Sequence, residues 1–132
     1  MTERLRCAVI GAGHFGRYHA EKYAALETAE LVAVVDIDGE AAARVAGPLG
    51  AEPLSDYRDL FGRVDAVSIA VPTSLHCSVA TACLEHGLAV LVEKPIAATV
   101  AEAERLIALA AAHGVPLQVG HLERFSPAYF AI

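Results

Sequence analysis

The residues best placed to do chemistry fall in short clusters, and the richest is Gly11-Ala12-Gly13-His14-Phe15-Gly16. Glycines at this spacing suit an anion on a helix end. Gly11 permits a tight turn, Gly13 lets a pyrophosphate approach the backbone, and Gly16 lets the helix close on the preceding strand. The helix opened by His14 and Phe15 then offers unpaired N–H groups and the positive end of its dipole. Asp36 stands twenty residues beyond Gly16, at the end of the next apolar run. There a carboxylate accepts hydrogen bonds from an adenosine ribose. Together these residues make a dinucleotide site, although a glycine turn alone can also form and bind nothing. A carboxylate at 36 repels a 2′-phosphate, and neither Ile37 nor Asp38 supplies a compensating cation. NAD is therefore expected over NADP, with loop rearrangement leaving NADP open.

The apolar run 89–92 leads into Glu93-Lys94-Pro95. A lysine at the end of such a run sits at the rim of a cleft, where burial and neighbouring charge can move its pKa from about 10.4 towards neutrality. It could then orient a hydroxyl substrate or share in its proton transfer. The plain alternative is a surface Glu93–Lys94 pair. Val71-Pro72-Thr73-Ser74, with His76 shortly after, ends another apolar run. Thr73 and Ser74 could line a site or simply cap a helix, and His76 could face a pocket. In the segment after Gly120, Arg124 could clamp an anionic or hydroxyl-rich substrate, and His121 could titrate near neutral pH. Cys7, Cys77 and Cys83 form no CxxC pair. No metal site or disulfide framework is expected, only reduced, buried thiols.

The elements that must position these residues alternate along the chain. Apolar runs at 5–11, 31–36, 65–71, 89–92 and 116–119 read as strands, with a brief one at 51–54. Helical spacing covers 15–26, 39–46, 74–86 and 100–113, and one or two turns at 56–61. Asp38 is placed to cap the second helix, which Gly47-Pro48 should end. Thr99-x-x-Glu102 is a capping box for the last helix, with Val100, Ala103, Ile107 and Ala110 as its apolar stripe. Continuous apolar strands, each followed by a helix, indicate a doubly wound parallel α/β sheet of the Rossmann kind, covered on both faces, in a single domain. Open parallel sheets bind ligands beyond the carboxyl ends of their strands, which is where all the clusters above fall.

Composition narrows the class. The chain of 132 residues is long enough for one ordinary domain. Its hydrophobic fraction is 55%, yet no apolar run approaches the ~20 residues a membrane span needs. A net charge of −6 without basic blocks argues against nucleic acid or an anionic membrane as partner. The N-terminus lacks a signal-peptide pattern, so a cytoplasmic location is expected.

Taken in order, Gly11-x-Gly13-x-x-Gly16-Arg17-x-His19-Ala20, Val71-Pro72-Thr73-x-x-His76, Glu93-Lys94-Pro95 and Gly120-His121-x-x-Arg124-Phe125 form a set. The set resembles the N-terminal domain of the Gfo/Idh/MocA oxidoreductases, the glucose–fructose oxidoreductase and inositol dehydrogenase family. The likeness covers essentially the whole chain. The run from Gly120 through Ser126 to Ala128 is similar to members acting on nucleotide-linked sugars, where Asn is more usual at the place of Ser126.

The resemblance implies NAD(P)-dependent hydride transfer at a secondary alcohol or ketone of a sugar, nucleotide-sugar or cyclitol. It makes Lys94 the expected catalytic residue, and puts Pro72, Thr73, His76 and Glu93 in the cofactor pocket. Family members continue into a second α/β domain that supplies much of the substrate pocket, an acid/base His or Asp, and the main oligomer interface. Residues 1–120 are accordingly expected to be the dinucleotide-binding domain and 121–132 the start of a crossover to a missing domain, with His121 and Arg124 on the substrate side. Such a piece should bind cofactor without turning over alone, and should form homo-oligomers through exposed apolar surface or the missing domain. The competing reading is a stand-alone dinucleotide-binding or redox-sensing module that works with a partner protein.

Overall fold

Strands that are apolar on both faces need helices on both sides, and the chain supplies them in strict alternation. The computed structural model describes residues 4–120. In chain order these are β1 (Leu5–Ile10), α1 (His14–Ala25), β2 (Ala29–Val35), α2 (Gly39–Leu49) and β3 (Glu52–Leu54). A short 3-10 turn (Tyr57–Leu60) leads to β4 (Ala66–Ile69), α3 (Thr73–Glu85), β5 (Ala89–Glu93), α4 (Val100–His113) and β6 (Leu117–Gly120). The six strands form one parallel sheet in the order β3-β2-β1-β4-β5-β6. This is the doubly wound Rossmann arrangement, and its strand order reverses direction between β1 and β4.

One face of the sheet packs against α1 and α2, where Val9, Leu31 and Val34 meet Ala20, Val45 and Ala46. The other face packs against α3 and α4. There Ala8, Ile10, Val67, Ile69, Val90 and Val92 lie under Ala80, Cys83, Leu84, Leu106 and Ala110. The helix starts follow from local chemistry. Asp38 accepts from the N–H groups of Glu40 and Ala41 at 3.0 and 3.3 Å. Thr99 accepts from Glu102 N–H at 3.1 Å, and the Glu102 carboxylate reaches back to Ala98 N–H at 3.2 Å. No helix among the described residues is long and apolar enough to cross a membrane.

Three expectations need correction. First, α2 does not stop at residue 46 but continues through Gly47 and Pro48 to Leu49, with left-handed Gly50 as its end. Pro48 removes the N–H that would reach the carbonyl four residues back and crowds that carbonyl with its ring, but only Leu49 follows it in the helix, so little helix remains to be disrupted. That carbonyl belongs to Arg44, on the exposed side. Second, the apolar stripe of α4 is displaced. Val100 and Ile107 are 74% and 58% exposed, while Leu106 and Ala110 are buried. Third, coverage of both faces holds only in part among the described residues. On the α1 side, β4, β5 and β6 border an apolar groove of about 650 Å³ whose lining includes Tyr23, Leu26, Ala66, Ala89, Leu91 and Gln118.

Candidate functional site

The glycine turn joins β1 to α1 beside the reversal of strand order, and its three glycines differ in their surroundings. Gly11 has φ +108°, and a Cβ there would lie 2.6 Å from the Ala70 carbonyl oxygen. A Cβ at Gly16 would fall 1.6 Å from the Gly11 carbonyl oxygen. At Gly13 a Cβ would meet nothing within 4 Å. The turn is therefore closed at both ends and open in the middle. Gly13 is the N-cap of α1, and His14 and Phe15 occupy its exposed first turn, their rings edge to face at 5.5 Å. The N–H groups of that turn lack intrahelical acceptors by construction.

Asp36 is tied to this turn. One carboxylate oxygen accepts from Ala12 N–H at 2.8 Å and the other from Asp38 N–H at 2.9 Å. A carboxylate oxygen has two lone pairs, so each keeps one for a further donor such as a ribose hydroxyl. Asp36 is half-buried and Ile37 beside it is 95% exposed. These residues fit a dinucleotide: the backbone is bare where phosphates must approach, closed where the turn must hold, and edged by an acceptor.

Lys94 follows the end of β5, exposed, with its N–H donating to the Gly120 carbonyl at 3.2 Å and a cis peptide bond leading to Pro95. Glu93 does not form the surface pair considered for it. Its side chain turns to α1, where Oε1 lies 2.5 Å from Nε2 of buried His19. Burial lowers the His19 pKa, outweighing the opposing pull of the Glu93 carboxylate. The neutral ring thus donates its Nε2 proton to Glu93. One turn further along α1, the Tyr23 hydroxyl lies 2.5 Å from the Ser68 hydroxyl, and burial pushes the Tyr23 pKa up to about 12.

His76 is buried, with Nε2 2.8 Å from the Val71 carbonyl and Nδ1 2.9 Å from the Pro95 carbonyl. Pro72, exposed, is the N-cap of α3, and half-buried Thr73 is its first residue. No side chain caps α3, so the capping role considered for Thr73 and Ser74 does not hold. His121 and Arg124 lie outside the described residues. All three cysteines are free and buried, and burial pushes Cys7 up to about 11 and Cys83 up to about 12. Such thiols are poor nucleophiles.

The strand ends thus bring together the glycine turn, Asp36, Pro72, Thr73 and Lys94. Reasoning from residue types passed over His19 and the partner of Glu93. A signal was present: His19 and Tyr23 are polar rings four apart, hence on one face of α1. Glu93 shares its strand parity with Leu91 and Ala89, which border the same groove.

The model of an oxidoreductase family with an NAD-binding Rossmann fold, Gfo/Idh/MocA, matches residues 5–121. The chain belongs to the Gfo/Idh/MocA oxidoreductase family. Among its relatives, UDP-N-acetylglucosamine 3-dehydrogenase of Acidithiobacillus ferrooxidans is 42% identical over 94% of this chain and 39% of its own length. The solved structure of that enzyme has a TM-score of 0.87 and covers 97% of this chain and 42% of its own. The scyllo-inositol 2-dehydrogenase (NAD(+)) of Bacillus subtilis is 38% identical over 98% of this chain and 39% of its own. GenD2 of gentamicin A biosynthesis, solved in complex with NAD, is 32% identical with a TM-score of 0.89, over 99% of this chain and 38% of its own. The chain spans about two fifths of the length of these Gfo/Idh/MocA relatives.

Proposed function

We propose that this Gfo/Idh/MocA chain holds the nicotinamide cofactor of a dehydrogenase acting on a secondary alcohol or ketone of a sugar, nucleotide-sugar or cyclitol. The observation that carries the cofactor reading is the contrast within the glycine turn, open at Gly13 and closed at Gly11 and Gly16. The first-turn N–H groups of α1, including those of His14 and Phe15, would hold the pyrophosphate. Asp36 would accept from the ribose hydroxyls, and its carboxylate favours NAD over NADP. Pro72 and Thr73 would line the cofactor pocket between the turn and Lys94, with buried His76 and half-buried Glu93 behind them. A bound nicotinamide supplies the hydride donor or acceptor.

The Lys94 ammonium would donate to the substrate oxygen and stabilise the negative charge that gathers there as the carbon–hydrogen bond changes hands. His121 and Arg124 are proposed substrate contacts. Three separated, buried thiols suit a reducing, cytoplasmic setting. The names of the relatives support a sugar or cyclitol as substrate. Residues 1–132 alone should bind dinucleotide without steady turnover, because hydride transfer requires a substrate carbon fixed against the cofactor.

Calorimetry with NAD and NADP tests the cofactor reading. NAD should bind the more tightly; a clear preference for NADP overturns the role given to Asp36, and no binding of either overturns the function. Steady NADH formation by residues 1–132 with sugar alcohols would contradict the need for further positioning.

A further inference from the structure

Lys94 is bracketed by two buried histidines from two different helices. On its N-terminal side, the Glu93 carboxylate is 14% exposed and bonded at 2.5 Å to Nε2 of His19, whose side chain is 1% exposed. On its C-terminal side, the Pro95 carbonyl lies 2.9 Å from Nδ1 of His76, itself 2% exposed. The other nitrogen of that ring lies 2.8 Å from the Val71 carbonyl, just past the neighbouring strand, and the ring's tautomer decides which of the two carbonyls takes an N–H. The N–H of Lys94 itself donates to Gly120 on the third strand end of the group. The backbone around Lys94 is tied in this way to α1, α3, β4 and β6.

Filling these two core positions with leucine would avoid the cost of burying polar rings. Histidines stand there instead, and each spends a ring nitrogen on a residue adjoining Lys94. A lysine stem has four rotatable carbons, so the reach of Nζ is defined only as well as the backbone that carries it. Holding reacting groups in register is worth orders of magnitude in rate.

We propose that His19 and His76 are positioning residues for Lys94, acting through the Glu93 carboxylate and the Pro95 carbonyl. The proposal rests on the reading of Lys94 as the residue that serves the substrate oxygen. His19 has a second consequence, because α1 begins at the glycine turn. The same rigid helix that takes the phosphates holds the chain at Glu93, so the two ends of the cofactor site are built on one element.

The two rings allow a crossed test, since a glutamine amide reaches about as far as Nε2 and an asparagine amide about as far as Nδ1. His19→Gln should keep the bond to Glu93 and His19→Asn lose it. His76→Asn should keep the bond to Pro95 and His76→Gln lose it. The readout needs neither cofactor nor substrate: the rate of acylation of Lys94 by acetic anhydride, followed by peptide mass spectrometry from about pH 7 to 11. The N-terminal α-amino group in the same samples serves as the internal control.

Expected are wild-type Lys94 profiles in His19→Gln and His76→Asn. His19→Asn and His76→Gln should show rates changed by about threefold or more, or a displaced midpoint, with the N-terminal α-amino group unchanged in all four. The proposal is overturned if the two members of each pair move alike, whether both overlay the wild type, both shift or both fail to fold. Lys94→Met in the enzyme that carries this domain tests the underlying reading separately. Retained alcohol oxidation there would sink the catalytic role of Lys94 without touching the bracing.

Discussion

A methyl group added at Gly16 and one added at Gly13 meet opposite surroundings, and this sets two expected outcomes apart. Gly16→Ala forces a Cβ against the Gly11 carbonyl, 1.6 Å away, so the helix must back off the strand. A loss of about 1–3 kcal/mol in stability is expected in denaturant unfolding. Gly13→Val enters open space and should leave the melting temperature within a few degrees. It should weaken dinucleotide binding by about 100-fold, or ~2.7 kcal/mol, in calorimetry; normal NAD binding by this variant would show that phosphates do not sit there. His19 gives a pH dependence. Burial lowers its pKa below the 6.5 of a free ring, so just below 6.5 the unfolded chain takes up more protons than the folded one. The stability contributed by neutral His19 is full above that pH and drains away as pH falls through the window. The slope is at most about 1.4 kcal/mol per pH unit for one proton. His19→Gln should flatten it in thermal melts at stepped pH, and an unchanged slope would assign the effect to other groups.

At the scale of elements, α4 offers a test of which face is buried. Leu106 is fully buried and Ile107 beside it is 58% exposed. Leu106→Ala should cost about 2–5 kcal/mol in unfolding free energy, whereas Ile107→Ala should stay within about 0.5 kcal/mol. Equal losses would mean that the helix is rotated from the orientation described. The stripe read from the sequence, 100-103-107-110, satisfies a period near 3.6, but so does the face that is buried, on which Leu106 and Ala110 lie four residues apart. Only the packing against α3 and β6 chooses between them. The order of strands and helices, the caps at Asp38 and Thr99 and the glycine turn with Asp36 were legible, because each is encoded within a few residues or in a known pairing. The His19–Glu93 bond was not, because its partners lie 74 residues apart and nothing local distinguishes a core histidine from a surface one. The far end of α2 was misjudged for another reason: Gly-Pro usually breaks a helix, yet in a last turn facing solvent the loss is small enough to bear.

For the whole molecule, the apolar groove between α1 and the β4–β6 half of the sheet, together with exposed Val100 and Ile107, makes self-association the expected behaviour of residues 1–132. Light scattering should show the mean mass rising with concentration, and Leu91→Glu in the groove should lower it. A monomer at every concentration would argue that this surface attracts no second copy. The strand order carries one more consequence, for how the chain comes to be folded. Central β1 is made first, and it pairs with β2 on one side, Leu5 opposite Ala29, and with β4 on the other, Cys7 opposite Ala66. During synthesis its second edge must wait for a much later stretch of chain. Until residues 66–69 arrive, Cys7–Ile10 present bare N–H and C=O groups on an apolar ribbon, the kind of edge that other chains add to. A nascent or truncated product ending before β4 is thus the species most exposed to aggregation, and the closing of β1 against β4 is the event that ends that exposure.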